Sequence, residues 1–232
     1  MNILIVYTPR SASTYLHNIL AKKFNLTGLN DLLTHTRINH GDDMLGLPSA
    51  IEQINQQENI CVKVNGHDFI DLKNKTITDD YKKINYQKFD HIIFLHRSNF
   101  IDALLSYSYM DRHDTSSWHR KKGQPKILKT YTISKEKIYF LSRGYRVYNI
   151  IQDYILKNYT GSVLHYEFNT VVDKAQQDFA LTPGDFESDT ESNNLNYRSL
   201  LQNIEILEQA NTVFNLVGQT TIFPQSEFWY GV

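Results

Sequence analysis

Between Tyr7 and Leu20 the chain reads YTPRSASTYLHNIL, directly after the apolar run NILIV. A proline, an arginine and a cluster of small hydroxyl residues thus separate an expected strand from an expected helix. The first N–H groups of a helix have no acceptor inside it, and its dipole places partial positive charge there. A phosphate or sulfate group can be held at such a point. Ser11, Ser13 and Thr14 add hydroxyl donors, and Arg10 adds a fixed cation with forked geometry. A tight turn followed by an ordinary helix cap uses the same residue types, so the stretch alone leaves both readings open. It is not the G-x-x-x-x-G-K-[ST] loop of ATP and GTP hydrolases.

Two further stretches carry chemistry. IIFLHRSNFIDALLSYSYM puts Arg97 at a strand end and Ser106 nine positions later, about two turns into the next helix. An arginine and a serine so placed can converge on one phosphate. CVKVNGHDF puts Lys63 and His67 at the C-terminal end of another strand, the edge at which open α/β sheets bind ligands. An unperturbed imidazole titrates near pH ~6.5, so His67 is the first candidate for a general base, with Lys63 beside it as a catalytic candidate.

Taken together these residues resemble the sulfotransferases. PRSASTYL is similar to that family's 5′-phosphosulfate-binding loop, commonly P-[RK]-S-G-[ST]-[ST]-x-L, with Ala12 in place of the usual glycine. The Arg97 to Ser106 pair looks like its 3′-phosphate motif. The nine-residue spacing is closer to bacterial trehalose-type members than to the cytosolic animal enzymes, and the proline that often follows the arginine is missing. VLHYEFN, Val163 to Asn169, is like the RYEDL that ends a later strand. The three elements span residues 3 to about 170; the C-terminal quarter matches no such motif, and the family's R-K-G-x-x-G clamp is not visible there. RKKG, Arg120 to Gly123, has a similar composition at a different place in the chain.

The resemblance implies a donor, 3′-phosphoadenosine-5′-phosphosulfate (PAPS), and a product, adenosine 3′,5′-bisphosphate (PAP). Arg10 would stabilise the leaving group. Ser11, Ala12, Ser13, Thr14 and Tyr15 would hold the 5′-phosphate, and Arg97 and Ser106 the 3′-phosphate. Many members place a catalytic histidine where His67 stands, whereas the trehalose-type relatives use a carboxylate soon after the first helix, for which Asp31 is the nearest equivalent. His35 and His40 lie in the same region and are candidates to line the acceptor pocket. The acceptor implied is a hydroxyl, or else an amine, of a small molecule or carbohydrate, and no metal is required. Two other readings stand beside this one: a small-molecule kinase with an atypical phosphate loop, and a catalytically inactive nucleotide-binding relative.

The elements that must position these residues are legible as a pattern. Four short apolar, β-branched runs, NILIVY (2–7), NICVKV (59–64), HIIFLH (91–96) and SVLHYE (162–167), read as parallel strands buried on both faces. Helical patterns lie between them: Ser13 to Phe24 with Tyr15, Leu16, Ile19, Leu20 and Phe24 on one face, then Pro48 to Gln57, a helix from near Ser98, Ser134 to Asn158, and Tyr197 to Asn215. Alternation of this kind predicts an α/β fold, a three-layer, P-loop-like arrangement with a mainly parallel central sheet flanked by helices. Asp111 to Thr132 reads as a long surface loop and a candidate lid, and Thr182 to Asn194 as an acidic loop.

At 232 residues and 41% apolar, one domain with a proper core is expected. A formal net charge of −1 excludes a whole-chain basic footprint for nucleic acid, and HRKK, His119 to Lys122, reads as a solvated loop. No run reaches the ~18–20 apolar residues of a membrane span. MNILIVY is too short for a signal peptide and TPRS stops it, so a cytoplasmic location is expected. Cys61, the single cysteine, sits in an apolar run where a buried, unreactive thiol is expected.

Overall fold

The computed structural model describes residues 1–30, 32–33, 46–71, 76–112, 120–121, 129–186, 190–191 and 196–219. The chain divides into two compact units, Met1–Ser98 with Arg143–Leu181, and Asn99–Ser142 with Thr182–Val232.

The first unit is built on a parallel sheet of five strands: β1 (Ile3–Tyr7), β2 (Thr27–Leu29), β3 (Ile60–Asn65), β4 (His91–His96) and β5 (Ser162–Glu167), in the order β2-β3-β1-β4-β5. Ile5 lies opposite Lys63 on one side and Ile93 on the other, so β1 is central and buried throughout. β3 is buried along most of its length, and Cys61 within it is 0% exposed. Burial pushes the Cys61 thiol up to about 12 from its ordinary 9.0, as expected of an inert core thiol.

Two strands differ from the sequence pattern. β5 pairs only with β4 and is largely half-exposed, Tyr166 being its one fully buried residue. At this sheet edge Ser162 and His165 are exposed and Val163 and Leu164 only half-buried, so the run is not enclosed as a central strand is. β2 is a short T-G-L segment with no apolar run to mark it; pairing with β3 makes it a strand.

Helices cover both faces. Connections between parallel strands are right-handed. The outward step from β1 to β2 and the return from β2 to β3 therefore put α1 (Ser13–Lys23) and α2 (Leu47–Gln56) on opposite faces. Phe24, at the end of α1, meets Phe179 of α5 (Val171–Phe179) edge to face at 5.9 Å, so α5 shares the face of α1. α4 (Lys135–Asn158) covers the other face, where Tyr148 packs on Phe94 at 6.3 Å. The Lys88 ammonium donates to the carbonyls of Ile54 (2.9 Å), Asn55 (3.0 Å) and Gln57, closing the negative end of α2. In α1 the buried face comprises Ser13, Leu16, His17, Ile19 and Leu20, while Tyr15 and Phe24 are only half-buried.

One contact draws α4 onto β3. A Cβ placed on Gly66 would stand 2.3 Å from the Gly144 carbonyl oxygen and 2.8 Å from the Tyr148 nitrogen. Only glycine at 66 permits this approach.

The second unit holds α3 (Phe100–Arg112), the first turns of α4, and α6 (Ile206–Gln219). Phe100 stacks on Phe214 with centroids 4.2 Å apart, and Tyr109 packs against both Tyr131 and Tyr197. The helix expected over Tyr197 to Asn215 is broken into Tyr197–Leu200 and α6. Leu201 pairs with Tyr131, and the Asn203 side chain bonds both backbone groups of Ile133, at 3.0 and 2.9 Å. These tertiary bonds pull 201–205 out of the helix. Within the expected loop Asp111 to Thr132, α3 continues to Arg112, Arg120–Lys121 pairs antiparallel with Thr190–Glu191, and Tyr131 is buried. Residues 113–119 and 122–128 lie outside the described residues. Among the described residues no helix is long and apolar enough to cross a membrane.

Candidate functional site

The site is built at the C-terminal edge of the first unit's sheet, around the loop from β1 to α1. This loop is tied to the exit of β4. The Thr8 N–H donates to Leu95 O at 3.0 Å, the Arg97 N–H donates to Thr8 Oγ1 at 3.0 Å, and the Tyr145 hydroxyl donates to Arg97 O at 2.9 Å. Burial pushes the Tyr145 phenol up to about 12, so it remains a neutral donor.

Beyond Thr8 the backbone turns through two left-handed residues, Arg10 at φ 62° and Ala12 at φ 68°. Neither is glycine, and each such residue costs about 1–2 kcal/mol. Strain of this kind clusters at ligand clamps. An αL residue leading into helical ones also lines up successive N–H groups into an anion-binding concavity. Ala12 is the N-cap of α1, offers no side-chain cap, and is followed by no acidic residue in the first turn. The first intrahelical bond runs from Leu16 N–H to Ala12 O at 3.1 Å, so the N–H groups of Ser13 and Thr14 have no acceptor within the helix. Ser11 is 0% exposed and its Oγ has no hydrogen-bond partner among the described residues. A buried hydroxyl left in that condition is costly.

Because position 12 is left-handed, Ala12→Gly relieves a steric cost and adds chain entropy only to the unfolded state. The expected net is a stabilisation of roughly 0.5–1 kcal/mol, a rise of about 1–4 °C in Tm. A thermal melt that shows a fall instead would mean that the alanine methyl packs favourably there.

Three cations share this edge. Lys63, 3% exposed, donates to Thr14 Oγ1 at 2.6 Å and lies 5.1 Å from the centre of the Tyr7 ring. Arg97 donates from Nη1 to Arg10 O at 3.4 Å, and its guanidinium lies 4.4 Å from the centre of the Phe168 ring. With Arg10 and the positive end of α1, these charges make a field that favours an anion. Beside them Glu167 accepts the Ser98 N–H at 3.1 Å and pairs with His96 Nε2 at 2.9 Å, joining the ends of β4 and β5.

His67 follows β3 in a short 3₁₀ turn, Gly66–Phe69, and is 7% exposed. Its ring lies against Gly144 of α4, where a Cβ would come within 2.0 Å of Cε1. Tyr15 is half-buried on α1, and burial raises its phenol.

Arg10, Ser11, Ala12, Ser13, Thr14, Tyr15, Lys63, His67 and Arg97 thus all belong to the first unit. Ser106, 3% exposed on α3, belongs to the second. Asp31, His35 and His40 lie outside the described residues. Sequence reasoning did not find Thr8, Asn65, Tyr145 or Phe168. Asn65 had a readable signal, standing two residues before His67; the others depend on which strand ends lie side by side.

No protein-family model matches the sequence, and no curated protein does. Among solved structures the chain is similar to the YorR protein from Bacillus subtilis in complex with phosphorylated GDP. The two are 10% identical, and the match covers 78% of this chain and 94% of that one, at a TM-score of 0.47.

Proposed function

We propose that this protein binds a nucleotide at the β1–α1 loop and is a cytoplasmic sulfotransferase that uses PAPS to sulfate a hydroxyl, or an amine, of a small molecule or carbohydrate. The observation that carries the reading is the loop itself: two left-handed residues, an uncapped helix start and the buried, unpartnered Ser11 Oγ. An anionic oxygen at that point would satisfy the Ser11 hydroxyl and the Ser13 and Thr14 N–H groups together, so these residues fit a 5′-phosphate.

When bound, PAPS supplies a sulfuryl group already joined to a phosphate leaving group. The chain's own part is position and charge. Arg10 offers a guanidinium fork to the leaving phosphate. Lys63, held by Thr14 Oγ1, adds positive charge at the start of α1. Arg97, braced by Phe168, is assigned to the 3′-phosphate, with Ser106 as its expected partner from the family resemblance. His67 is assigned to receive the acceptor proton, with Asp31 as the other candidate.

The test is thermal stability with PAP, AMP, or ATP with magnesium. A ligand that binds only the folded state adds about 2.7 kcal/mol at a hundred times its Kd, and roughly 5–10 °C for a chain of this size. PAP is expected to stabilise well beyond AMP. A response to ATP with magnesium alone would favour the kinase reading, and no response to PAP would remove the donor assignment.

A further inference from the structure

One side chain meets both the backbone and the ring of His67. Asn65, the last residue of β3, accepts at Oδ1 from the His67 backbone N–H at 3.1 Å and also lies 3.1 Å from the ring nitrogen Nδ1. A backbone N–H can only donate, so the atom it meets is the carboxamide oxygen, not its nitrogen. An oxygen acceptor facing Nδ1 requires the proton to be on Nδ1. The neutral ring is therefore the Nδ1–H tautomer, and its basic lone pair is on Nε2.

Asn65 is itself fixed. Its N–H donates to Asp68 Oδ2 at 2.8 Å, which closes the reciprocal cap of the 3₁₀ turn. Capping needs only the backbone bond, which serine, threonine or aspartate could also accept. The bond to the ring is additional to it. Gly144 constrains the ring from the other side, since a Cβ there would lie 2.0 to 2.6 Å from Cε1, Nε2 and Nδ1. Titratable groups of the described residues at this turn include Asp68, which accepts from Asn65, Tyr81, whose ring meets Phe69 at 5.9 Å, and Tyr148 of α4, whose backbone nitrogen lies against Gly66. Burial raises the phenols of Tyr81 and Tyr148, so they stay neutral.

We propose that Asn65 is a positioning residue that presets His67 as an Nδ1–H imidazole with Nε2 as the proton-accepting nitrogen. Its catalytic consequence rests on the reading of His67 as the general base. The tautomer itself does not, and it is measured first.

The experiment is a long-range nitrogen-15 correlation spectrum of histidine-labelled protein at about pH 8, above the imidazole range. The wild-type His67 ring is expected in the Nδ1–H form. Asn65→Ala moves it toward the Nε2–H form that free imidazole favours in water, and Asn65→Asp, which keeps an acceptor at the same place, restores Nδ1–H. A purely capping role predicts no change of tautomer in Asn65→Ala, and that result, or an Nε2–H ring in the wild type, overturns the proposal. In turnover with PAPS, Asn65→Ala is expected to lower kcat by about 10²-fold with the donor KM unchanged, the loss expected when a general base is mispresented. Asn65→Asp is expected to recover most of that loss. Should PAP fail to stabilise the wild type while the tautomer follows Asn65 as stated, the donor reading fails and the positioning of His67 stands.

Discussion

Gly66→Ala is expected to lower Tm by roughly 6–12 °C, a loss of about 3 kcal/mol or more. The added methyl would meet the Gly144 carbonyl oxygen at 2.3 Å and the Tyr148 nitrogen at 2.8 Å. Both are backbone atoms of α4 and cannot rotate aside as a side chain would. Relief requires the helix to lift off the sheet, which opens the contacts of Tyr148 with Phe94 and of Gly144 with the His67 ring. Gly184→Ala is the control, because the nearest atom to its new Cβ is Thr182 Oγ1 at 3.9 Å. That change is expected to stay within ~0.5 kcal/mol. Equal melting temperatures for the two variants would show that α4 slides along the sheet at little cost.

The second large effect concerns ligand discrimination. Arg97→Ala is expected to weaken PAP binding by about 10–150-fold while changing AMP binding less than about threefold. That range is what charge-assisted hydrogen bonds to one phosphate are worth. The guanidinium is held in advance by the Phe168 ring and by Arg10 O, so little ordering cost is left to offset the contact. Arg97→Lys is expected to recover only part of the loss, because an ammonium lacks the fork and stacks less well on the ring. Calorimetric titration of both nucleotides gives the ratio. Equal losses for PAP and AMP would mean that Arg97 acts only by shaping the β1–α1 loop through its bond to Arg10.

The parts of the structure that are legible in the sequence are those dictated by local pattern. Ile3–Tyr7, Ile60–Asn65 and His91–His96 are mostly apolar runs because helices cover both faces of the sheet there, and such runs announce themselves even with Lys63 among them. Thr27–Leu29 is a strand only through its partner, and a three-residue segment has no period to read. Val171–Phe179, a helix absent from the sequence reading, is short and buries only Val171, Ala175 and Phe179. Tyr197 to Asn215 has a helical period, yet long-range bonds to Tyr131 and Ile133 interrupt it.

The site divides the same way. Arg10 to Tyr15 and Arg97 stand out because unusual residue types sit where a strand ends. Their supports do not. Thr8 meets Arg97, and Phe168 lies against the Arg97 guanidinium, only because β1, β4 and β5 are adjacent, and adjacency is a property of the strand order. The left-handed backbone at Ala12 was equally hidden, since alanine gives no hint of it and a glycine there would have.

Cys61 turns the central sheet into its own clock. The chain's sole thiol is shut inside β3, paired across to Ile3 of β1 and Gly28 of β2. Alkylating reagents attack the thiolate, and here both access and ionisation are denied until that strand comes free. The rate of labelling therefore counts excursions in which the middle of the sheet separates, with no engineered probe and no competing cysteine. Since the folded thiol is pushed up from 9.0 to about 12, its contribution to stability is intact below pH 9 and is lost as pH climbs toward 12. Near pH 8 the clock records opening alone. A nucleotide seated on the β1–α1 loop should slow it in proportion to occupancy, so the same thiol can report ligand binding without any turnover assay.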